Sequence, residues 1–259
     1  MIEICFCTIA FQKNKWGADR TVEVPLEQIW PVLAEAGYDA VELWWPHLEA
    51  FAPEARGQLS TALREAGLAV AMVSPYFDFT TSDATARTSL ELGHRVVEAA
   101  RDVGARGVRC FTGKAGSADA DESQWLRAVT GLRGLADAAP DLTWALETHA
   151  HNLMDTVEST AQLVERIDRP NIGLIFQPST FMDDALAALY RLGPWIHHVH
   201  ATNRREGERA LLGEGDLDYP AIIVALREVG FKGCISVEWM GEDPATVAQQ
   251  EARYLRGIL

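Results

Sequence analysis

The chain has 259 residues, of which 48% are hydrophobic, and a formal net charge of -14. This length suits one substantial core, and the acidic balance disfavours DNA or RNA as a partner, because phosphate contacts need clustered Lys and Arg. No apolar run reaches the roughly 18 residues that span a bilayer, and the N-terminus lacks the basic segment of a signal peptide, so we expect no membrane association and a cytoplasmic location.

A short phrase recurs along the chain and marks the joint between a helix and the next strand. It reads AEAGYDAVEL at 34–43, REAGLAVAMV at 64–73, RDVGARGVRC at 101–110 and REVGFKGCIS at 227–236. In each copy a glycine follows the helical stretch, because glycine adopts the left-handed conformation at little steric cost and turns the chain into the strand. The phrase indicates a chain built from repeated βα units.

Eight strands are predicted in chain order, and an amphipathic helical stretch follows each of them. They span about 3–9, 38–44, 68–75, 106–112, 141–148, 171–177, 195–201 and 232–239. Eight such alternations predict an α/β fold, a single-domain (β/α)8 TIM barrel over residues 1–259. The main alternative is a doubly wound open sheet, which is disfavoured because no G-x-G-x-x-G loop follows the first strand.

Polar residues close four consecutive predicted strands, the fifth to the eighth. They are Glu147, Gln177, His200 and Glu238. Since the C-terminal ends of barrel strands form one rim, we expect these side chains to converge on one divalent metal ion. Three oxygen donors and one nitrogen favour Mn²⁺ or Mg²⁺, with Co²⁺ or Zn²⁺ as further options. The alternative is that each is a lone polar residue at a strand end.

Two more polar residues lie at predicted strand ends and are candidates for substrate binding. Glu42 closes the second strand, where it would bind a substrate hydroxyl or form a salt bridge at the rim. His149 follows Glu147 by two positions, so it lies on the same face and would orient a ligand or contact substrate.

The order of several short segments resembles the sugar phosphate isomerase/epimerase family, the xylose-isomerase-like TIM barrels that include D-tagatose 3-epimerase and inosose dehydratase. The segments are GYDAVELW, LETHAHNLMDT, HHVHATNRR, LLGEGDLDYPAI and SVEW, spread over nearly the whole chain. The resemblance implies that Glu147, His200 and Glu238 are metal ligands. It also implies that Arg204, in the Asn-Arg pair after His200, faces substrate oxygens; the alternative is a solvated loop arginine.

The chain departs from the family pattern on the sixth strand. The family usually has Asp there, often followed three residues later by His, whereas this chain has Gln177 and Thr180. A Gln carbonyl oxygen can still ligate a metal, but it carries no charge, so we expect weaker metal binding than in the usual site.

The resemblance implies an enzyme, a metal-dependent carbohydrate isomerase or epimerase that acts on a keto-sugar or related polyol by proton transfer through an enediolate. Glu147 and Glu238 would be its acid–base pair. One alternative is a dehydratase of the inosose or 3-dehydroshikimate type on the same site, and another is a non-catalytic ligand-binding barrel. An endonuclease-IV-like repair enzyme ranks last because the chain is acidic. We expect a small carbohydrate as the partner, and a homo-oligomer is compatible with the sequence.

Overall fold

Eight parallel strands close into a barrel in the computed structural model, which describes residues 2–15 and 20–259. The strands are β1 (Glu3–Cys7), β2 (Ala40–Trp44), β3 (Ala69–Ser74), β4 (Gly107–Cys110), β5 (Thr143–Glu147), β6 (Ile172–Phe176), β7 (Ile196–Ala201) and β8 (Cys234–Val237). Each strand pairs with its neighbours in chain order, and β1 closes the barrel by pairing with β8 from Glu3 opposite Cys234 to Phe6 opposite Val237. The predicted (β/α)8 barrel is confirmed, and the open sheet is excluded.

The helices follow the strands in the order that the sequence predicts. They are α1 (Leu26–Ala36), α2 (Trp45–Glu49), α3 (Pro53–Glu65), α4 (Asp83–Asp102), α5 (Glu122–Ala138), α6 (Val157–Ile167), α7 (Ala185–Leu192), α8 (Tyr219–Glu228) and α9 (Pro244–Ile258). The glycines of the recurring phrase have φ between 68° and 85°, as their predicted role after a helix requires. In the described ranges, no helix combines the length and apolarity needed to cross a membrane.

The barrel interior is stacked in layers because side chains along a strand alternate between its two faces. A small apolar cluster inside the barrel includes Ala40, Ala145 and Ile175, which lie two positions before Glu42, Glu147 and Gln177. The corresponding positions before His200 and Glu238 hold buried polar residues, His198 and Ser236. The larger apolar cluster lies between the strands and the surrounding helices. The polar residues at the C-terminal strand ends therefore rest partly on apolar and partly on polar buried side chains.

A short antiparallel hairpin follows β7, and the sequence analysis did not predict it. Its strands are Asn203–Arg205 and Glu208–Ala210, which we call the rim hairpin. Its two-residue turn has positive φ at both positions, 53° at Glu206 and 85° at Gly207, as the tight turn of a twisted ribbon requires. The hairpin lies where the chain leaves the rim of the barrel, next to the candidate site.

Candidate metal centre and active site

Three of the four predicted metal ligands meet at the C-terminal end of the barrel. Glu147 ends β5, His200 lies near the end of β7, and Glu238 directly follows β8. One ligand atom from each lies within 4.8 Å of the others. His200 Nδ1 is 3.4 Å from Glu147 Oε1 and 3.8 Å from Glu238 Oε2. Since all three side chains are largely or fully buried, their charges act on one another with little screening by water.

Two atoms of the predicted ligand set have no hydrogen-bond partner among the described residues. They are His200 Nδ1 and Gln177 Oε1, and both are buried. Thr148 Oγ1 accepts from the Gln177 backbone N–H at 2.9 Å, and Gln177 Nε2 donates to Ser179 Oγ at 3.3 Å, so the amide oxygen alone is left unsatisfied.

Burying a polar atom without a partner costs about 1–3 kcal/mol, so such atoms usually have a function. A nitrogen lone pair, an amide oxygen and two carboxylates form a donor set that suits a divalent cation. The residues present therefore fit the ion that the sequence predicts.

Glu42 lies beneath His200, inside the barrel. Its Oε2 is 2.9 Å from His200 Nε2 and 3.1 Å from His198 Nε2, and Ser74 Oγ donates to its Oε1 at 2.5 Å. Burial alone would raise the pKa of Glu42, but the charges and hydrogen bonds of His200 and His198 hold it well below its ordinary value. Its observed contacts are therefore with protein groups, and its predicted contact with a substrate hydroxyl stays a prediction.

Arg109 is a member of the site that the sequence analysis missed. It lies on β4, is 4% exposed, and its Nη1 is 3.2 Å from Glu147 Oε2. Nη2 donates to the Pro75 carbonyl at 3.1 Å, and the guanidinium lies 4.7 Å from the ring centre of Tyr76. The available signal was an arginine inside an otherwise apolar strand, since a buried arginine is rare without a paired charge.

The carboxylates of the site differ in their electrostatic surroundings. Burial alone would raise the pKa of Glu147, but the charges of His200 and Arg109 lower it below its ordinary value. Burial raises the pKa of Glu238 to about 7, and the charge of Glu147 adds to this rise while His200 opposes it. Burial disfavours the charged form of His200, but Glu42, Glu147 and Glu238 together raise its pKa well above the ordinary value.

A pocket of about 180 Å³ opens above these residues. Gln177 and Glu238 line it from the barrel, and the predicted substrate-binding residues His149 and Arg204 line it from the rim. The His149 ring packs edge-on against Phe111 at 5.7 Å, and Arg204 Nη1 donates to the Gly207 carbonyl at 2.8 Å. His149 and Arg204 therefore line the same pocket as Gln177 and Glu238, and their contact with a substrate stays a prediction.

Comparisons with known proteins agree with this architecture. A model of the xylose isomerase-like TIM barrel family matches residues 30–258. The 3-dehydroshikimate dehydratase of Bacillus anthracis is 24% identical, and the alignment covers 96% of this chain and 95% of that protein. The L-ribulose 3-epimerase of Mesorhizobium japonicum is 27% identical over 86% of this chain and 78% of its own.

The crystal structure of the probable 3-DHS dehydratase AsbF from Bacillus anthracis has the same fold. It superimposes with a TM-score of 0.86 at 23% identity, covering 98% of this chain and 99% of that chain.

Proposed function

The chain belongs to the xylose isomerase-like TIM barrel family, and we propose that it is a metal-dependent enzyme that moves a proton next to the carbonyl of a small keto-sugar or related polyol, as an isomerase or epimerase. One observation carries the proposal. The unpartnered His200 Nδ1 lies beside the carboxylates of Glu147 and Glu238, and Gln177, whose Oε1 is also unpartnered, lines the same pocket as Glu238. Buried polar atoms without a partner are uncommon, and two of them among the predicted ligands support a bound cation.

The ion would be held by Glu147, Gln177, His200 and Glu238, and Mn²⁺ or Mg²⁺ suits this oxygen-rich set. When bound, it would supply Lewis-acid stabilisation of the negative charge that develops on the substrate oxygens. Glu42 holds the opposite nitrogen of the His200 ring, so the ring keeps one orientation and presents Nδ1 to the site.

The two carboxylates ionise differently in the metal-free protein. Arg109 contacts Glu147 Oε2, and the lowered pKa keeps this carboxylate ionised at neutral pH. Glu238 is protonated in a larger fraction of molecules, because burial raises its pKa to about 7. With the ion bound, both would be ionised ligands. One would then remove a proton from the substrate, and the other, after taking up a proton from water, would return one.

A dehydratase on the same site is the second candidate. It is favoured by the alignment with the Bacillus anthracis dehydratase, which covers 95% of that protein, against 78% of the Mesorhizobium epimerase. The two reactions share the removal of a proton next to a carbonyl. They differ afterwards, since a dehydratase expels a hydroxyl group from the next carbon while an epimerase reprotonates the same carbon.

Deuterium exchange tests the proposal. Mn²⁺-loaded protein is incubated in D₂O with L-ribulose or with 3-dehydroshikimate, and NMR records exchange next to the carbonyl, epimer formation and loss of water. We expect exchange with at least one substrate. Glu147→Gln and Glu238→Gln should each slow it by about 100-fold or more, the usual contribution of a positioned acid or base.

Glu242→Gln is the matched control, because Glu242 is an exposed glutamate close to Glu238 in the chain. Glu242→Gln should catalyse deuterium exchange at the wild-type rate. The acid–base assignment is wrong if Glu147→Gln and Glu238→Gln also catalyse exchange at that rate. Tight metal binding without exchange on either substrate would instead favour the non-catalytic barrel.

A further inference from the structure

The rim hairpin sets two arginines directly opposite each other. Arg204 on one strand is the register partner of Arg209 on the other, and both line the pocket above the metal centre. Side chains opposite each other in an antiparallel pair are neighbours on one face, and like charges in such a pair destabilise the ribbon. The arrangement therefore carries a cost that a bound anion would remove.

Among the residues that the structure describes, no carboxylate neutralises either arginine. In the described part of the chain, no Asp or Glu oxygen lies within 4.0 Å of either guanidinium. Two carboxylates, Glu238 and Glu251, line the same pocket without pairing with them, and the Leu212 N–H donates to Glu251 Oε1 at 2.8 Å. Two unpaired cations above one pocket are unusual in a chain with a net charge of -14.

The base of the hairpin is fixed, so the arginines are held in place over the pocket. Asn203 is 4% exposed, and its Nδ2 donates to the carbonyls of Leu212 at 2.8 Å and Leu217 at 3.1 Å. Its Oδ1 accepts from the Leu217 N–H at 3.1 Å. Gly215 approaches so closely that a Cβ there would meet the Asn203 Oδ1 at 2.3 Å.

A third cation lies close to this face of the site. Lys15 is 6% exposed, and its Nζ donates to the Ala10 carbonyl at 3.4 Å. Burial has the largest effect on the pKa of Lys15 and lowers it. The positive charge of Arg209 lowers this pKa further, while the negative charge of Glu238 raises it. Lys15 therefore adds a further positive charge near Arg209.

We propose that the substrate carries an anionic oxygen group, a carboxylate or a phosphate, and that Arg204 and Arg209 bind this group. The proposal rests on the proposed function, because the rest of the substrate would occupy the metal-centred pocket. Guanidinium groups bind carboxylates and phosphates with paired N–H donors, which gives both strength and orientation. The arginine pair would then select acidic substrates over neutral sugars of the same size.

A matched set of three-carbon hydroxyketones tests this inference by titration calorimetry on Mn²⁺-loaded protein. Dihydroxyacetone is neutral, hydroxypyruvate carries a carboxylate, and dihydroxyacetone phosphate carries a phosphate. We expect at least one anionic probe to bind about tenfold or more tightly than dihydroxyacetone, as charged hydrogen bonds allow. The preferred probe identifies the anion, and the preference should weaken at high salt because the arginines are exposed.

Arg209→Gln decides the result, because the carboxylate of hydroxypyruvate could also bind the ion directly. This variant should lose the preference for the anionic probe, measured as the ratio of its affinity to that for dihydroxyacetone. Arg205→Gln is the matched control, since Arg205 lies on the same hairpin opposite Glu208 instead of opposite an arginine, and it should keep the preference.

The inference is overturned if neither anionic probe binds more tightly than dihydroxyacetone, if no probe binds, or if Arg209→Gln keeps the preference. The variant His200→Ala tests the metal-dependent function separately. If that function is wrong, the wild type and His200→Ala will bind dihydroxyacetone equally, whatever the Arg209→Gln result.

Discussion

Glu42 and His200 form the contact that orients the candidate metal centre. Glu42 Oε2 lies 2.9 Å from His200 Nε2, while Nδ1 on the other side of the ring faces Glu147 at 3.4 Å. When Nε2 carries the proton that Glu42 accepts, Nδ1 keeps its lone pair and is free to bind a cation. The carboxylate on the second strand thus acts on the metal centre through the histidine of the seventh.

The first prediction concerns this contact. Glu42→Gln should lower the affinity for Mn²⁺ by about 10- to 100-fold, the usual effect of losing the partner of a metal-binding histidine. Titration calorimetry measures the affinity, and circular dichroism checks that the barrel is folded. The exposed Glu35→Gln on α1 is the control and should bind Mn²⁺ like the wild type. An unchanged affinity in Glu42→Gln would show that Glu42 does not orient His200 for the ion.

The second prediction concerns Gln177, whose amide oxygen is buried and unpartnered. Gln177→Glu keeps the length of the side chain and adds a negative charge beside the ion. After the cost of desolvating the new carboxylate, we expect Mn²⁺ binding to strengthen by about 1–3 kcal/mol. Gln177→Leu, which removes the oxygen, should weaken binding.

The control for this pair is Gln249→Glu, which adds the same charge at an exposed position on α9 and should leave Mn²⁺ affinity unchanged. If Gln177→Glu and Gln177→Leu both bind like the wild type, residue 177 does not contact the ion.

The third prediction concerns the buried pair of Arg109 and Glu147, 3.2 Å apart. Arg109→Leu would leave Glu147 buried without this counter-charge and should lower the free energy of unfolding by about 3–5 kcal/mol, as for other broken buried pairs. Adding Glu147→Gln should recover part of the loss, because the unpaired charge is then gone. Urea denaturation measures both effects.

An exposed ion pair gives the comparison. Arg101 and Asp141 are 2.6 Å apart on the surface, and Arg101→Leu should change stability far less, because water screens exposed pairs. Equal losses for Arg101→Leu and Arg109→Leu would argue against a special role for the buried pair.

The fourth prediction concerns pH. Burial raises the pKa of Glu238 to about 7, and the surrounding carboxylates raise that of His200 above its ordinary value, against the effect of burial. Both groups therefore hold protons at and below neutral pH in the metal-free protein, and a bound ion must displace them. Mn²⁺ affinity should rise as the pH is raised from about 6 to about 8, with protons released on binding.

Calorimetric titrations in two buffers of different ionisation enthalpy count the released protons. Glu238→Gln, which has no proton to lose at this position, should release fewer than the wild type. An affinity that is constant across this pH range would contradict the assignment of these residues as ligands.

The strand order and the convergence of three candidate ligands were predictable because their signals are local or follow from topology. Buried apolar runs and the glycine after each helix placed the strands, and the barrel then brought Glu147, His200 and Glu238 to the same rim. The partner of Glu42 was not predictable in this way. Glu42 contacts His200 across the barrel interior, 158 residues away in the chain, and the sequence does not state how deep in the barrel each side chain lies.

Two other features were missed for different reasons. The contact between Arg109 and Glu147 joins β4 to β5, so the strand order allowed it, but the arginine lies among apolar neighbours and carries no motif. The rim hairpin has a Glu206-Gly207 turn, yet its strands are three residues long and mainly charged, so they lack the alternation of apolar and polar residues that marks a strand.

The metal content of the protein tests the central claim most directly. Wild type, His200→Ala and His197→Ala are purified without chelator, incubated with Mn²⁺, desalted and analysed for bound metal. His197 lies on the same strand but faces outward and is exposed, so His197→Ala controls for the loss of a histidine from this strand. The account predicts a single equivalent of Mn²⁺ in wild type and His197→Ala and almost none in His200→Ala. Equal metal content in His200→Ala and the wild type would contradict it.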